Sequence, residues 1–432
     1  MPRVIPKACA AAAVIIAAAA LAACGGSEQP YRIGFTWPCP RTDFWAVAGP
    51  GFFAALELPF LQRGARPLGE KPTDGVSSIE IGGRPVELVM PCTDGGTRDG
   101  LEEMRRLVED VGVDAVISTG NLDDQLEYAR AHPEVTFVGG GQDLRRPVAN
   151  FTGWFPTQGT TIAGLATYVY EERGWRQVAV IGADTAANYE DVAYFTAEFC
   201  SLGGRIASAT WTAPGEQDVA AIAASVPTDV DGFYVSIGNA DVLAALSARV
   251  PELGERLAAG SFALTPPTPE TVGPALEGAV GGGLSILPHD FSGFPGYDEI
   301  EAAFPGQVDE PSYAAGSSVH NQAEALVRAL ELVDGDPGPD QEALRRALRE
   351  VTVEGLYGAL TARVDEQGLL VTQIPVLTLQ FFPDGAVAQE EFTKVYDVDQ
   401  TLGGLLGPDT PPFGRGSQPC VAGNPPPWAE QS

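Results

Sequence analysis

The sequence has little of the residues and motifs on which most enzymes depend. Only three lysines and three histidines occur among 432 residues, and none of the six cysteines belongs to a CxxC pair. HExxH, GxSxG and Walker-type phosphate loops are absent as well, which excludes the signatures of zinc proteases, α/β-hydrolases and P-loop nucleotide hydrolases. The missing CxxC spacing argues against zinc knuckles and thioredoxin-like chemistry. We therefore predict no catalytic residues, no metal site and no cofactor, and we interpret the histidines as structural.

Long apolar runs are equally scarce. The first, Ala10 to Ala20, is too short to span a bilayer as a permanent anchor. The best other candidate, Ala314 to Leu332, contains His320, Glu324 and Arg328. The sequence therefore predicts no transmembrane helix beyond its N-terminal region.

The N-terminal region combines the features of an export signal. Arg3 and Lys7 precede the apolar run, which ends in Leu21-Ala22-Ala23 directly before Cys24. This order resembles a bacterial lipoprotein signal, in which the cysteine is lipidated and becomes the first mature residue. The resemblance implies that residues 1–23 are removed and that Cys24 anchors an exported, extracytoplasmic protein to the cell membrane. An ordinary secretory peptide cut nearby, with Cys24 incidental, is the alternative.

The charge balance is strongly acidic. The chain carries 26 basic and 57 acidic side chains, a net charge of −31, and removal of Arg3 and Lys7 with the signal makes it −33. A surface of this sign repels nucleic acid and anionic lipid headgroups, so we expect neither as a partner. The acidity serves solubility and does not identify a ligand.

Short apolar strands alternate with amphipathic helices in two successive series, separated by a polar interval at residues 142–150. This alternation is typical of parallel sheets covered by helices on both faces, so we predict an α/β fold with two doubly wound parallel-sheet lobes. The predicted strands are Tyr31 to Thr36, Val86 to Met90, Ala115 to Ile117, Val135 to Val138, Val178 to Ile181, Ile206 to Trp211 and Phe233 to Ser236. The predicted helices are Gly51 to Leu61, Gly100 to Asp110, Leu122 to Ala131, Gln158 to Arg173, Tyr189 to Gly203, Asp241 to Arg249, Ser312 to Leu332 and Asp340 to Val351.

Four cysteines remain once the signal is removed and Cys24 is lipidated, which permits two disulfides in an oxidising compartment. Cys39 lies just beyond the first strand and Cys92 just beyond the second, and these strands are neighbours in a doubly wound lobe. Adjacent loops can bring two Cα atoms within the roughly 4.4–6.8 Å that a disulfide needs. We predict that pair and, by elimination, a second one between Cys200 and Cys420, which would attach the C-terminal tail to the second lobe.

Five stretches stand in a characteristic serial order along the chain. They are Tyr31 to Thr36, Val178 to Glu190, Val230 to Tyr234, Tyr313 to Gln322 and Gly358 to Phe382. In this order they resemble type I periplasmic binding proteins of the branched-chain amino-acid type, the substrate-binding components of ABC importers, over roughly residues 31–395. The stretch from Ala131 to Gly159 is similar to the nucleoside-binding, basic-membrane-protein branch of the same fold.

The resemblance implies a layout and a function. Two lobes would be joined by a three-strand hinge, and the chain would cross between them near Asn150, Gly281 to Gly283 and Glu354 to Gly358. The implied parts are a tether at 24–30, lobe 1 at 31–150 and 282–354, lobe 2 at 151–281 and 355–400, and a tail at 401–432. The protein would capture an amino acid or related small molecule in the interlobe cleft and deliver it to ABC permease and ATPase subunits. A ligand-sensing receptor lipoprotein and a nucleoside-binding importer component are alternatives with the same fold.

Candidate ligand-binding residues follow from where such a fold holds its ligand. In open α/β sheets, ligands bind beyond the carboxyl ends of the strands, where helix N-termini offer unpaired N–H groups. The side chains predicted at those positions are Trp37, Trp45, Asn121, Asp123, Gln142, Asp143, Tyr189 and Asn239.

Several of these residues have a second interpretation. Asn121 and Asp123 are good helix caps whatever the ligand, and Trp37 can pack at the edge of the core. Family members often have Ser or Thr at the position of Asn121 to bind an amino-acid carboxylate, so this departure weakens the interpretation of the ligand as an amino acid. Asp123 and Asp124 oppose a carboxylate at the same helix N-terminus, which leaves a neutral or cationic ligand open. Tyr189 matches an aromatic ligand contact of the family, which suits a partly apolar ligand.

Overall fold

The structure is a computed structural model. It describes residues 29–39, 44–119, 122–140, 148–155, 158–213, 218–236, 240–260, 263–264, 268–282, 294–355, 361–364, 370–372, 374–381, 387–394 and 413–421. The predicted signal and Cys24 lie outside these ranges.

Strands and helices alternate through most of the described chain. The strands are β1 (Tyr31–Phe35), β2 (Ile79–Ile81), β3 (Arg84–Val89), β4 (Ala115–Ser118), β5 (Thr136–Gly140), β6 (Phe151–Phe155), β7 (Gln177–Ala183), β8 (Arg205–Thr212), β9 (Gly232–Val235), β10 (Leu257–Ala259), β11 (Val280–Gly282), β12 (Thr352–Glu354), β13 (Thr361–Val364), β14 (Leu370–Thr372), β15 (Ile374–Phe381) and β16 (Val387–Lys394). The helices are α1 (Phe44–Leu61), α2 (Gly100–Arg105), α3 (Leu122–Ala131), α4 (Gln158–Glu171), α5 (Ala186–Ser201), α6 (Val219–Ser225), α7 (Ala240–Ser247), α8 (Thr268–Val272), α9 (Tyr297–Ala303), α10 (Glu310–Ala315), α11 (Ser317–Leu332) and α12 (Glu342–Ala347).

The strands form three sheets. The first has the order β2-β3-β1-β4-β5-β6, and all its pairings are parallel except the β2–β3 hairpin. The second has the order β16-β15-β11-β10-β9-β7-β8, in which the β15–β16 and β11–β15 pairings are antiparallel and the others are parallel. A small antiparallel sheet contains β12, β13 and β14. Because β6 pairs with β5, the first sheet extends beyond residue 150.

Helices cover both faces of the two large sheets. On the first sheet, one apolar cluster joins the strands to α1 and α11, and another joins them to α2 and α3. On the second sheet, α4 and α5 pack against one face, while α6 and α7 pack against the other. The central strands are therefore buried on both faces, and every residue of β4 and β9 is buried. The predicted architecture of two doubly wound α/β lobes is confirmed.

Two glycines let helix backbones touch where α1 meets α10 and α11. A Cβ atom at Gly51 would lie 2.0 Å from the carbonyl oxygen of Ser312, and one at Gly316 would lie 2.5 Å from the Cβ of Ala55. A side chain at either glycine would therefore push the helices apart. The helix predicted over residues 312–332 is divided at Gly316 into α10 and α11.

The amide of Gln341 joins four segments at the amino end of the first sheet. Its Oε1 accepts hydrogen bonds from the hydroxyls of Tyr31 (2.7 Å) and Thr136 (3.0 Å). Its Nε2 donates to the carbonyl oxygens of Asp114 and Glu134, each at 2.7 Å. The amide thus uses its full hydrogen-bonding capacity to tie a late segment of the chain to β1, β4 and β5.

Replacing Gln341 with alanine should lower the free energy of unfolding by about 1–3 kcal/mol, because buried hydroxyl and carbonyl groups then lose their partner. Urea denaturation measures this loss. Arg349→Ala, at an exposed position nearby, is the control and should change stability by less than about 0.5 kcal/mol. Equal effects of the two substitutions would mean that the Gln341 bonds add nothing to stability.

The described residues contain two disulfides, and both have the predicted pairing. Cys39 is bonded to Cys92 with a Cα–Cα distance of 5.5 Å, and Cys200 is bonded to Cys420 with a Cα–Cα distance of 6.4 Å. The first bond joins the loops that follow β1 and β3. The second attaches residues 413–421 to the last turn of α5.

Candidate functional site

The strand order of the first sheet reverses between β1 and β4, and such a switch point opens a crevice at the carboxyl ends of the strands. Thr36 follows β1, and Thr119 follows β4. The Thr119 hydroxyl donates to the Thr36 carbonyl oxygen (2.7 Å), and the Thr119 amide donates to the Thr36 hydroxyl oxygen (3.0 Å). These reciprocal bonds fix the two strand ends at the point where the crevice begins.

Two buried polar atoms beside this switch point have no hydrogen-bond partner within the described part of the chain. They are Oγ of Ser118, the last residue of β4, and Oε1 of Gln125 on α3. Gly139 pairs with Ser118 across β4 and β5, and a Cβ atom at Gly139 would lie 3.3 Å from Gln125 Oε1. Both atoms therefore border the same strand ends, where a ligand or water can satisfy them.

A buried carboxylate holds the loop that follows β3. Glu103 accepts hydrogen bonds from Arg98 Nε (2.7 Å), Arg106 Nη2 (2.6 Å) and the backbone amide of Cys92 (3.2 Å). Burial raises the pKa of Glu103, but the hydrogen bonds from Arg106 and Arg98 outweigh it, so the pKa lies below its ordinary value. The ionised Glu103 and the Cys39–Cys92 bond together fix the loops at this edge of the first sheet.

The second sheet has its own switch point, between β7 and β9. Asp191 on α5 is 1% exposed, and its Oδ2 accepts hydrogen bonds from Ser236 (2.9 Å), which follows β9, and from the Tyr234 hydroxyl (3.4 Å). Its Oδ1 has no partner among the residues that the structure describes. A Cβ atom at Gly260, just after β10, would lie 2.7 Å from both Asp191 Oδ2 and the Tyr234 hydroxyl. The carboxyl group of Asp191 thus lies against the ends of β9 and β10.

The protonation of Asp191 is unusual. Burial raises the pKa of this carboxyl group to about 7, although the hydrogen bonds from Ser236 and Tyr234 lower it. Near neutral pH the group is therefore present both as an acid, which can donate a hydrogen bond, and as a carboxylate, which only accepts.

Tyr189 lies near the same switch point, at the start of α5. Its hydroxyl contacts the carboxylate of Asp184, the first residue after β7, and this hydrogen bond raises the pKa of Tyr189. Its ring meets the ring of Trp211 edge to face, with centroids 4.9 Å apart. The two rings provide apolar surface beside a carboxylate, a combination that suits a partly apolar ligand.

The structure places the ring of Trp37 in the core. The ring lies 5.4–5.8 Å from the rings of Phe35, Phe52 and Phe53, and the residue is 5% exposed. This placement favours the packing role of Trp37 over a ligand contact.

The other predicted site residues are less fully described. Trp45 lies in α1 and Asp123 in α3, and only their backbone positions are described. Asn121, Gln142, Asp143 and Asn239 lie outside the described residues. The ligand contacts of these six residues stay predictions.

Sequence reasoning missed Asp191, although a signal was available. Asp191 stands four and eight residues before Phe195 and Phe199, so it lies on the apolar face of α5, where an acid is exceptional. The contact between Thr36 and Thr119 gave no such signal, because the two residues are 83 positions apart.

Within the described ranges, no helix combines the length and the apolar character that a bilayer crossing requires. The same part of the chain contains no cluster of three histidine, cysteine, aspartate or glutamate side chains that could hold a metal ion.

Several solved structures share this arrangement. One, an ABC transporter substrate-binding protein from Sphaerobacter thermophilus, has a TM-score of 0.63 and 22% identity, over 85% of this chain and 99% of its own. A leucine binding protein from Thermotoga maritima has a TM-score of 0.60 and 19% identity, over 85% and 99% of the two chains. A solute binding protein from R. palustris in complex with 4-hydroxybenzoate has a TM-score of 0.64 and 14% identity, over 87% and 99%. At these identities the likeness establishes the fold.

No curated protein matches the sequence significantly. The family model described as "Periplasmic binding protein" matches residues 62–386, well over half of the chain, and this range includes most of both large sheets. The chain belongs to the periplasmic binding protein family.

Proposed function

We propose that this protein captures a small molecule between its two lobes and delivers it to the permease and ATPase subunits of an ABC importer. One observation supports the proposal most strongly. Beside the switch point of each large sheet lie buried polar side-chain atoms that have no hydrogen-bond partner among the described residues. These atoms are Ser118 Oγ and Gln125 Oε1 on the first sheet and Asp191 Oδ1 on the second. A buried polar atom without a partner is unfavourable, so sites of this kind suit a ligand that supplies the missing hydrogen bonds.

The family supports binding rather than catalysis. Periplasmic binding proteins close two lobes around a ligand, and the ligand supplies the binding energy that favours the closed form. We further propose that the lipid on Cys24 keeps the protein at the outer face of the cell membrane, where it meets the importer.

The proposed ligand is small and partly apolar. Tyr189 and Trp211 offer aromatic surface at the second switch point, while the buried Asp191 favours a neutral or cationic polar group there. The solved relatives show the range that this fold accepts, since one is named a leucine binding protein and another holds 4-hydroxybenzoate. Asn121, Asp123, Gln142, Asp143 and Asn239 are proposed to orient the ligand, with Trp45 beside them.

A thermal-shift screen tests the proposal. A ligand that binds only the folded protein raises its melting temperature, and the stabilisation grows with the logarithm of the ligand concentration once that concentration exceeds Kd. The screen includes amino acids, nucleosides, small amides and aromatic acids, so it also tests the nucleoside-binding alternative. A concentration-dependent shift with one class identifies the ligand class, and no shift with any of them contradicts the proposal.

Tyr189 is expected to cover part of the ligand. Replacing Tyr189 with alanine should weaken binding of the ligand found in the screen by roughly 1–3 kcal/mol, because the variant lacks the aromatic surface. Titration calorimetry measures the change. Tyr189→Phe keeps the ring and loses only the hydroxyl, so it should retain most of the affinity. An alanine variant that binds as tightly as the wild type would place Tyr189 outside the site.

A further inference from the structure

The tail segment, residues 413–421, lies beyond the range that the family model matches, which ends at residue 386. It is nevertheless attached to the second lobe at three points. Cys420 is bonded to Cys200, and Gln418, which is 2% exposed, donates from Nε2 to the carbonyl oxygen of Tyr189 at 2.9 Å. Arg415 Nη1 lies 3.3 Å from Asp184 Oδ2.

These attachments extend along the whole of α5. Cys200 is in its last turn, whereas Tyr189 is near its first turn, eleven residues earlier, which corresponds to about 16 Å of helix. Asp184 comes just before the helix, at the carboxyl end of β7. The tail segment therefore runs from the far end of α5 to the switch point of the second sheet.

At the switch point, the tail segment contacts the residues that shape the site. The carboxylate of Asp184 has one oxygen against the Tyr189 hydroxyl and the other against Arg415. Arg415 thus neutralises Asp184, while Gln418 holds the Tyr189 backbone. Tyr189 is therefore held at its hydroxyl, through Asp184, and at its backbone carbonyl oxygen, by Gln418.

We propose that the tail segment is a positioning element of the ligand site, which fixes Asp184 and Tyr189 and thereby determines which ligands the site accepts. The part that concerns ligands rests on the proposed function.

The bond between Cys200 and Cys420 holds the tail segment in these contacts. The side chain of Arg415 is 61% exposed, and an exposed ion pair alone is too weak to hold a free chain end in place. A covalent bond at Cys420, five residues after Arg415 and two after Gln418, keeps both side chains at high effective concentration next to their partners. Loss of the disulfide should therefore release both contacts.

The test compares four proteins with the wild type. Cys200→Ser/Cys420→Ser releases the tail segment, and Arg415→Ala removes the contact with Asp184 in a fully cross-linked chain. Arg415→Lys keeps the charge and should behave as the wild type. Cys39→Ser/Cys92→Ser removes the other disulfide and controls for a general effect of disulfide loss.

Hydrogen exchange provides the first readout, because it needs no ligand. In the double serine variant at residues 200 and 420, the amides of residues 189–195 should exchange about tenfold faster than in the wild type, and in the other double variant they should not. Unchanged exchange in this range overturns the proposal, whatever the protein binds.

Selectivity provides the second readout, with L-leucine and 4-hydroxybenzoate as probes. Release of the tail segment and Arg415→Ala should each change the ratio of the two dissociation constants by about fivefold or more, and Arg415→Lys should restore the wild-type ratio. If the tail segment only stabilised the fold, its release would weaken the binding of both probes by the same factor. An unchanged ratio of the two dissociation constants therefore overturns the proposal. If the wild type binds neither probe nor any compound of the thermal-shift screen, the proposed function fails, and hydrogen exchange alone decides whether the tail segment positions Tyr189.

Discussion

Replacing Asp191 with asparagine should make the protein more stable than the wild type at pH 8 and leave the two about equally stable at pH 4. Asparagine is a neutral group of the same shape, so it avoids the burial of a charge at high pH. The pKa of Asp191 is about 7 in the folded protein and about 3.9 in an unfolded chain. The stability that Asp191 contributes below pH 4 is therefore lost as the pH rises to about 7. We expect a loss of roughly 2–4 kcal/mol across this range.

The comparison must be made between variant and wild type, because a second buried group acts in the opposite direction. Burial lowers the pKa of His320 to about 4, so the stability that depends on neutral His320 increases as the pH rises from about 4 to 6.5. In the wild type the two trends partly cancel. The difference between Asp191→Asn and the wild type isolates Asp191, since His320 is unchanged in both.

Urea denaturation at intervals from pH 4 to pH 8 measures this difference. Asp241→Asn, which changes an exposed acid on α7, is the matched control and should follow the wild type at every pH. If the difference between Asp191→Asn and the wild type stays constant from pH 4 to pH 8, Asp191 does not retain its proton in the folded protein.

Replacing Arg63 with alanine should lower the free energy of unfolding by roughly 2–4 kcal/mol. Arg63 follows α1 and binds two carboxylates on α11: Nη1 lies 2.8 Å from Glu324 Oε2, and Nε lies 2.6 Å from Glu331 Oε1. The side chain of Glu324 is only 6% exposed. Burial raises its pKa, but the hydrogen bonds from Arg63 and Arg328 reverse the shift and keep it ionised. Without Arg63, a buried charge keeps a single partner.

A double-mutant cycle with Glu324→Gln measures the interaction free energy between Arg63 and Glu324 separately from the other contacts of each side chain. If Arg63 acts mainly through Glu324, Arg63→Ala should cost much less in the Glu324→Gln background. Arg66→Ala, at an exposed position just after Arg63, should have little effect. A large loss that is the same in both backgrounds would point to Glu331 or to packing of the Arg63 stem instead.

Much of the fold was predictable because its elements are local and periodic. The strand predicted at Val178 to Ile181 lies within β7, and the helix predicted at Leu122 to Ala131 has the bounds of α3. The disulfide between Cys39 and Cys92 followed from the adjacency of two parallel strands. The short strand β2 and the small antiparallel sheet were missed, because strands of three or four residues carry too little periodicity.

The candidate site was predictable only in part. Their positions after strands made Tyr189 and Trp37 candidate ligand contacts, but position alone could not show that the Trp37 ring faces the core. The predicted helix from Asp340 also begins later, because Asp340 and Gln341 adopt left-handed φ angles of 49° and 58°, and α12 follows them. Gln341 takes this conformation while its amide binds four distant groups, and contacts of this kind leave no trace in local sequence.

The bond between Tyr31 and Gln341 has a consequence for the order in which the protein can fold. It joins residues 310 positions apart, and the helix α11 that covers the first sheet also comes late in the chain. The first lobe therefore stays incomplete until about 350 residues have been delivered, whether from the ribosome or through an export channel. The strands of the first sheet, β1 to β6, are all delivered by residue 155, and the parallel strands β7 to β11 follow between residues 177 and 282. The strands of the N-terminal lobe are thus delivered first, yet that lobe becomes complete only after the central strands of the other lobe have been delivered as well.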